Sequence, residues 1–299
     1  MKTGILLIGF NRPEHLQCVF EAVIASAVDL PVIVHVDGAD AGGRYAQGNN
    51  SVKELVKTWE RAGKISAAKL QPLNLGCKYG PPAAISWGFE LFEALIILED
   101  DCIPDPSFFP YCSELLLRYR NDSRVGSIAG DNAYSLDLSE KPYSYTFISY
   151  PRIWGWATWR DRWAAYDPDR KLEKSAEREL GYPPRLAINP EEERRMRSAL
   201  QLIEEGRVSN WDTQWWSCFA SNHWLCVQPG VNLIRNTGFG EGATHTTNDK
   251  SPFARLIPTS LKFPLKHPPF VRPDRELDDE LASQYGWKAR LRRYISRFL

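Results

Sequence analysis

Ala94-Leu95-Ile96-Ile97-Leu98-Glu99-Asp100-Asp101 is an apolar run that ends abruptly in three consecutive carboxylates. A short, continuous apolar stretch of this kind reads as a strand buried on both faces of a sheet. Three adjacent acids repel one another, and a fold tolerates them at a strand's carboxyl end when a cation or a charged ligand supplies the missing positive charge. Mg²⁺ and Mn²⁺ prefer such hard oxygens, and open α/β sheets bind their ligands at that same edge. An exposed acidic turn after a core strand is the plainer alternative. Against it stands the following Cys102-Ile103-Pro104-Asp105-Pro106, a stiff loop leading into Ser107-Phe108-Phe109 and an aromatic-anchored helix that would hold the acids in place.

Outward from this strand, short apolar runs alternate with amphipathic stretches, which predicts an α/β fold with a mostly parallel sheet flanked by helices. Strands are expected at Gly4 to Phe10, Pro31 to Val36, Ala67 to Leu70, Leu95 to Leu98 and Val125 to Ala129. Helices are expected at Pro13 to Ala27, Val52 to Ala62, Pro81 to Ala94 and Pro106 to Arg120. Each strand ends in polar residues: Asn11-Arg12, Asp37-Gly38-Ala39-Asp40, Asn74-Leu75-Gly76-Cys77-Lys78, Glu99-Asp100-Asp101 and Gly130-Asp131-Asn132. Any one set reads equally as turn or cap residues; in a parallel sheet all five gather on one edge, where a nucleotide can lie.

Composition narrows the class. With 299 residues, 43% of them apolar, the chain has ample material for a packed core. Thirty-seven basic and thirty-seven acidic residues cancel, so no bulk charge points to nucleic acid. The six cysteines show no Cys-x-x-Cys pair and no zinc-type spacing, which fits reduced thiols and a cytoplasmic setting. The apolar run Gly4 to Phe10 is too short to span a membrane and lacks a cleavage-site pattern, so it reads as a first strand. Glycine-rich dinucleotide and P-loop signatures, the nucleophile elbow, the His-Glu-x-x-His zinc motif and internal repeats are all missing from the sequence.

The second half changes character. Eight of eleven tryptophans fall between Trp154 and Trp224. Most tryptophans are core, but this density suggests that some face a ligand such as a sugar ring, and Trp154, Trp156 and Trp211 are the candidates for an acceptor wall. Within Asn210-Trp211-Asp212-Thr213-Gln214-Trp215-Trp216, Asp212 is either a helix N-cap or a general base whose pKa is raised by its aromatic surroundings. At the carboxyl end, Trp287, Leu291, Tyr294, Ile295, Phe298 and Leu299 recur at helical spacing among Lys288, Arg290, Arg292, Arg293 and Arg297. Such a basic amphipathic helix either packs on the domain or a second subunit, or lies in an anionic membrane surface as a peripheral contact at the inner face.

The ordered set of Leu98-Glu99-Asp100-Asp101, Pro106-Ser107-Phe108-Phe109, Trp211-Asp212-Thr213-Gln214-Trp215, Val227 to Asn236 and Gly238-Phe239-Gly240 resembles nucleotide-diphospho-sugar glycosyltransferases of GT-A-type fold, in particular the N-acetylglucosaminyltransferase I group and its bacterial relatives. The resemblance covers roughly residues 4 to 250. It implies that Asp101 binds Mn²⁺ or Mg²⁺, that Asp100 contacts the donor ribose and that Glu99 lies near the donor sugar. It also makes Asp212 the base that deprotonates the acceptor hydroxyl, with inversion at the sugar. Asn11, Arg12 and Asp37 fall where the family reads the base and phosphates of a UDP- or GDP-sugar, Lys78 becomes a phosphate contact, and His245 takes the position of a residue touching metal or diphosphate, with an unliganded loop histidine as the alternative. The acceptor would be a glycan or glycolipid. The expected organisation is a glycosyltransferase domain over 1–249, with a donor half at 1–132 and an acceptor half at 133–249, followed by a Pro-rich arm and basic helix at 250–299. A metal-dependent phosphotransferase or nuclease and a non-catalytic carbohydrate-binding protein are the rival readings.

Overall fold

The computed structural model describes residues 1–39, 42–132, 142–181, 185–187, 189–239 and 256–283. Strands β1 (Thr3–Gly9), β2 (Val32–Val36), β3 (Ala67–Leu70) and β4 (Ala94–Glu99) alternate with helices α1 (Pro13–Ala25), α2 (Ala46–Arg61) and α3 (Gly76–Leu91). After the acidic triplet come β5 (Cys102–Pro104), α4 (Phe108–Arg118), β6 (Val125–Ala129), β7 (Tyr145–Ile148) and β8 (Trp156–Trp159). The remaining described elements are α5 (Arg160–Trp163), α6 (Lys171–Leu180), α7 (Pro190–Glu204), α8 (Asp212–Ser221), β9 (Leu225–Pro229), β10 (Ile234–Asn236) and α9 (Arg275–Ser283).

The main sheet has the order β3-β2-β1-β4-β8-β6-β9-β7, and a separate pair joins β10 to β5. β1 runs parallel to both β2 and β4, with Leu7 opposite Val34 on one side and Leu98 on the other. β8 inserts antiparallel between β4 and β6, and β9 returns parallel to β6. The carboxyl ends of β1, β2, β4, β6 and β9 therefore share one edge. Alternation along β1 and β4 supplies two cores: Ile5, Leu7, Ile96 and Leu98 pack with α1, α2 and α4, while Leu6, Ile8, Leu95 and Ile97 pack with α3, α8 and the tryptophans.

The expected strands of the first half coincide with β1, β2, β3, β4 and β6, but two helices start earlier than their apolar periodicity indicates. α2 starts at Ala46, before the first apolar repeat at Val52. Its opening turn is anchored by Asn49, whose buried amide donates to the carbonyls of Phe10 and Asp37 at 2.7 Å each. Gly48 is required there, because a Cβ would lie 2.3 Å from the Asn11 carbonyl oxygen. α3 begins at Gly76 and carries Pro81 and Pro82 inside it. Prolines have no N–H, so the carbonyls of Cys77 and Lys78 have no i+4 donor; Asp37 holds this weak opening turn from outside, accepting from the backbone N–H of Leu75 at 3.0 Å and Gly76 at 3.1 Å.

The segment from residue 256 to 283 packs against the body. Leu265, Leu277 and Leu281 are buried, the Asp274 N–H donates to the Phe147 carbonyl at 2.8 Å, and the Asp278 carboxylate accepts from Ser149 N at 2.9 Å and Ser149 Oγ at 2.6 Å. These contacts cover the outer edge of β7, which among the described residues pairs only with β9 in the sheet. The basic amphipathic stretch 287–299 lies outside the described residues. No helix among the described residues is long and apolar enough to cross a membrane.

Candidate active site

β4 delivers Glu99, Asp100 and Asp101 to the shared edge because its apolar core ends at Leu98. The turn out of β1 places Arg12 beside them: its guanidinium is hydrogen-bonded to Asp100, and Nη2 donates to Asp101 Oδ2 at 2.8 Å. Asp100 is buried. Burial pushes its carboxyl up, while Arg12 and the Phe10 N–H pull the other way. Glu99 is pushed further above the carboxylate range by burial and by the charges of Asp101, Asp100 and Asp212. Burial works against the Arg12 charge as well, but Asp100 and Asp101 more than offset it. Among the described residues, the Arg12 guanidinium is the cation paired with this triplet, through Asp100 and Asp101.

The strand after the triplet fixes Asp101 from the other side. β5 pairs antiparallel with β10, Cys102 opposite Asn236, and the Asp101 carbonyl accepts from the Thr237 N–H at 2.8 Å. Gly238 abuts the carboxylate so closely that a Cβ there would fall 2.1 Å from Asp101 Oδ2. His245, seven residues further on, lies outside the described residues.

Asp212 stands in the first turn of α8, and the cap position is Trp211, which makes no side-chain cap bond. Asp212 is therefore not the N-cap. Its charge reaches Glu99. It also helps, after burial and together with Glu99, to push the Cys77 thiol up to about 12, and after burial it raises the Tyr166 hydroxyl. Tyr166 OH donates to the Trp211 carbonyl at 3.2 Å, tying down the start of α8. The chain thus brings the acid of residue 212 within electrostatic range of Glu99 in the cluster formed by residues 12 and 99–101.

The other candidates are placed differently. Asn11 is half-buried in the turn before Arg12. Asp37 spends its oxygens on the backbone N–H groups of Gly38, Leu75 and Gly76. Lys78 forms an ion pair with Asp169 at 3.0 Å, shared with the Tyr79 hydroxyl. Trp156 is fully buried and Trp211 is 3% exposed; both belong to an aromatic core with Trp163, Tyr166 and Trp215, which corrects their assignment to a ligand-facing wall. Large rings at this density satisfy one another before they meet solvent. Trp154 is half-buried and meets Phe239 edge-on at 5.8 Å. Sequence reading did not single out Arg152, which pairs with buried Asp131 at the carboxyl end of β6; a Pro-Arg dipeptide before a tryptophan-rich run gives no local signal of that long-range pair.

The donor set suits a hard divalent cation. Among the described residues no group of three or more His, Cys, Asp or Glu side chains is arranged to hold an ion. Mg²⁺-type sites commonly use one or two carboxylates and complete the shell with water and substrate phosphates, so Asp101, beside the two further acids of the triplet, fits that mode.

No family model matches the chain, and no curated protein matches it. Solved structures similar to it include galactosyltransferase LgtC in complex with donor and acceptor sugar analogs, at 12% identity and a TM-score of 0.39 over 94% of this chain and 95% of that one. A cytidylyltransferase from Leptospira borgpetersenii serovar Hardjo-bovis aligns at 13% identity and a TM-score of 0.35, over 72% of this chain and 92% of that one. S. aureus TarS aligns at 11% identity and a TM-score of 0.32 over 43% of this chain, which spans only 21% of TarS. At such scores the likenesses carry no functional inference, and the chemistry must come from the residues of this chain.

Proposed function

We propose that the protein is a metal-dependent, inverting glycosyltransferase of GT-A type, transferring a sugar from a UDP- or GDP-sugar to a hydroxyl of a glycan or glycolipid. The observation that supports this most strongly is the acidic triplet at the carboxyl edge of a parallel sheet, with Asp212 within electrostatic range of Glu99. A single-displacement transfer needs two functions close together: countercharge for a departing diphosphate and a base for the incoming hydroxyl. In this reading Asp212 takes the acceptor proton as the acceptor oxygen bonds to the anomeric carbon. The bond from that carbon to the diphosphate breaks, and the electron pair leaves with the phosphate. Asp100 and Arg12 position the donor, and Asp101 holds the ion. A bound Mn²⁺ or Mg²⁺ supplies countercharge to the diphosphate. Glu99, more readily protonated than an ordinary carboxyl, can hydrogen-bond a donor hydroxyl from the same cluster.

Calorimetry tests the reading. Wild type is expected to bind UDP or GDP with Mn²⁺ and much more weakly in chelator, and Asp101→Ala is expected to lose that dependence together with slow donor hydrolysis. Equal affinity with Mn²⁺ and with chelator overturns the metal assignment; cleavage of nucleic acid, or glycan binding with no nucleoside-diphosphate affinity, supports the rival classes.

A further inference from the structure

The residues that leave β10, Asn236-Thr237-Gly238, lie against Asp101, and each makes a different contact. Thr237 holds the backbone: its N–H and its hydroxyl both donate to the Asp101 carbonyl, at 2.8 and 3.2 Å. Gly238 abuts the side chain, where a Cβ would stand 2.1 Å from Oδ2 and 2.8 Å from Cγ of Asp101. Asn236 fixes Gly238 in turn, its Oδ1 accepting from the Gly238 N–H at 2.7 Å in an Asx turn. Asn236 is itself buried and held in the β5–β10 ladder opposite Cys102. On the other sides of the carboxylate, Arg12 Nη2 donates to Oδ2 at 2.8 Å and Cys102 Sγ to Oδ1 at 3.5 Å.

A glycine at 238 is explained either by backbone shape or by room. Gly238 is not among the glycines with positive φ, so a left-handed backbone is not the reason. Room is, and the atoms that need it belong to the carboxylate of Asp101, whose side chain is 14% exposed against 6% for Asp100. The loop cannot easily retreat, because Asn236 bonds it on one side and Phe239 meets Trp154 edge-on at 5.8 Å on the other. A side chain at 238 therefore turns the carboxylate rather than moving the loop. We infer that the exit of β10 is a clamp for the ion-holding carboxylate, with Gly238 as its positioning residue: lacking a Cβ, it lets Asp101 keep the orientation the ion requires. Small octahedral cations demand near-ideal ligand geometry, and groups that orient a ligand from outside commonly govern affinity for the ion. The role toward an ion rests on the transferase reading; the spatial dependence of residue 238 on Asp101 does not.

The test is a double-mutant cycle of Gly238→Ala and Asp101→Ala in the full chain, read by thermal unfolding and by calorimetry of UDP and GDP with Mn²⁺ or with chelator. Gly238→Ala alone is expected to lower Tm by about 2 to 6 °C, the cost of overpacking a methyl group. It is also expected to reduce the Mn²⁺-dependent gain in diphosphate affinity by about ten- to a hundredfold, with affinity in chelator unchanged. In the Asp101→Ala background the carboxylate is gone, and Gly238→Ala is expected to cost no further Tm. The 3.1 Å approach of the added methyl to Asn236 Oδ1 is common to both backgrounds and cancels. If Gly238→Ala does not fold alone, a folded double variant shows the same dependence on Asp101. Thr237→Val, which removes the hydroxyl bond to the Asp101 carbonyl, then carries the calorimetry, with a loss of up to about tenfold in the Mn²⁺-dependent gain. Equal loss of Tm in both backgrounds means that Gly238 serves its own loop, and overturns the proposal while the transferase reading stands. A Mn²⁺-dependent gain that the clamp variants leave at the wild-type level does the same. A gain that survives Asp101→Ala, or is missing from the wild type, overturns the metal assignment and with it the clamp's role toward an ion, whatever the Tm cycle shows.

Discussion

At the scale of single residues, Asp212 carries the most consequence. An acid in the first turn of a helix is favourable for the helix dipole whatever else it does, so its presence there has an ordinary explanation. Its reach to Glu99 does not follow from that explanation, since a helix-start acid can point anywhere. Asp212→Asn preserves shape and removes the base. Transfer is expected to fall by about 10² to 10⁴, with nucleoside-diphosphate affinity within a few fold of wild type by calorimetry. Wild-type turnover in the Asn variant means that Asp212 serves the helix alone. His35 offers a different residue-scale test. It is fully buried in β2, with Nε2 at 3.2 Å from Gln71 Nε2, and burial followed by the Lys69 charge lowers its pKa to about 4. The unfolded chain takes up this proton near pH 6.5 and the folded one only near pH 4. The native state therefore binds fewer protons in that window, and stability is lost as pH falls through it. The stability of wild type relative to His35→Leu is expected to decrease by up to about 3 kcal/mol from pH 7 to pH 4; parallel denaturation curves for the two proteins across that range refute this.

At the scale of elements, the opening turn of α3 is the instructive case. Its sequence, Gly-Cys-Lys-Tyr-Gly-Pro-Pro, lacks an apolar repeat and contains two prolines, so periodicity places the helix start near Pro81. The turn forms earlier because Asp37, from the end of β2, bonds its backbone N–H groups, and Gly80 leaves room for that carboxylate, 2.9 Å from where a Cβ would stand. A contact across 38 residues has no local signature. The same holds for α2, opened by Asn49. Strands and helix middles were legible because apolar residues repeat at the spacing each element requires, as Leu16, Val19, Phe20 and Val23 do in α1. Asp37→Ala removes an acceptor for several N–H groups at once and is expected to cost about 2 kcal/mol, the upper range for a lost cap, and to increase amide exchange at 75–80 before the sheet exchanges. Unchanged protection there would show that the prolines and packing suffice to hold the turn.

At the scale of the whole molecule, the second half shows what sequence periodicity cannot reach. β8 is a four-residue strand, Trp156–Trp159, inserted antiparallel between two parallel strands, and Trp156 reads as ligand-facing only because its neighbours in space, Trp211 and Trp215, lie some fifty residues later. The acidic cluster was legible because its members are consecutive; its closure by Arg12 and Asp212 depends on the fold. The same long-range logic governs the strap at 256–283. Among the described residues no strand pairs with the outer side of β7, and an open edge is a template for pairing with another chain. The strap covers it by donating from Asp274 to Phe147 and by placing buried Asp278 against Ser149 N and Oγ. Asp278→Ala leaves a backbone N–H and a hydroxyl without their acceptor, at about 1–3 kcal/mol, which for a chain of this size lowers Tm by several degrees. Asp278→Asn keeps one acceptor and is expected to fall between the two. If the strap protects the edge, Asp278→Ala also aggregates below its own unfolding transition as β7 loosens, measured by light scattering during slow heating. A variant that melts lower yet scatters no earlier than it unfolds would show that Asp278 adds stability without guarding the edge.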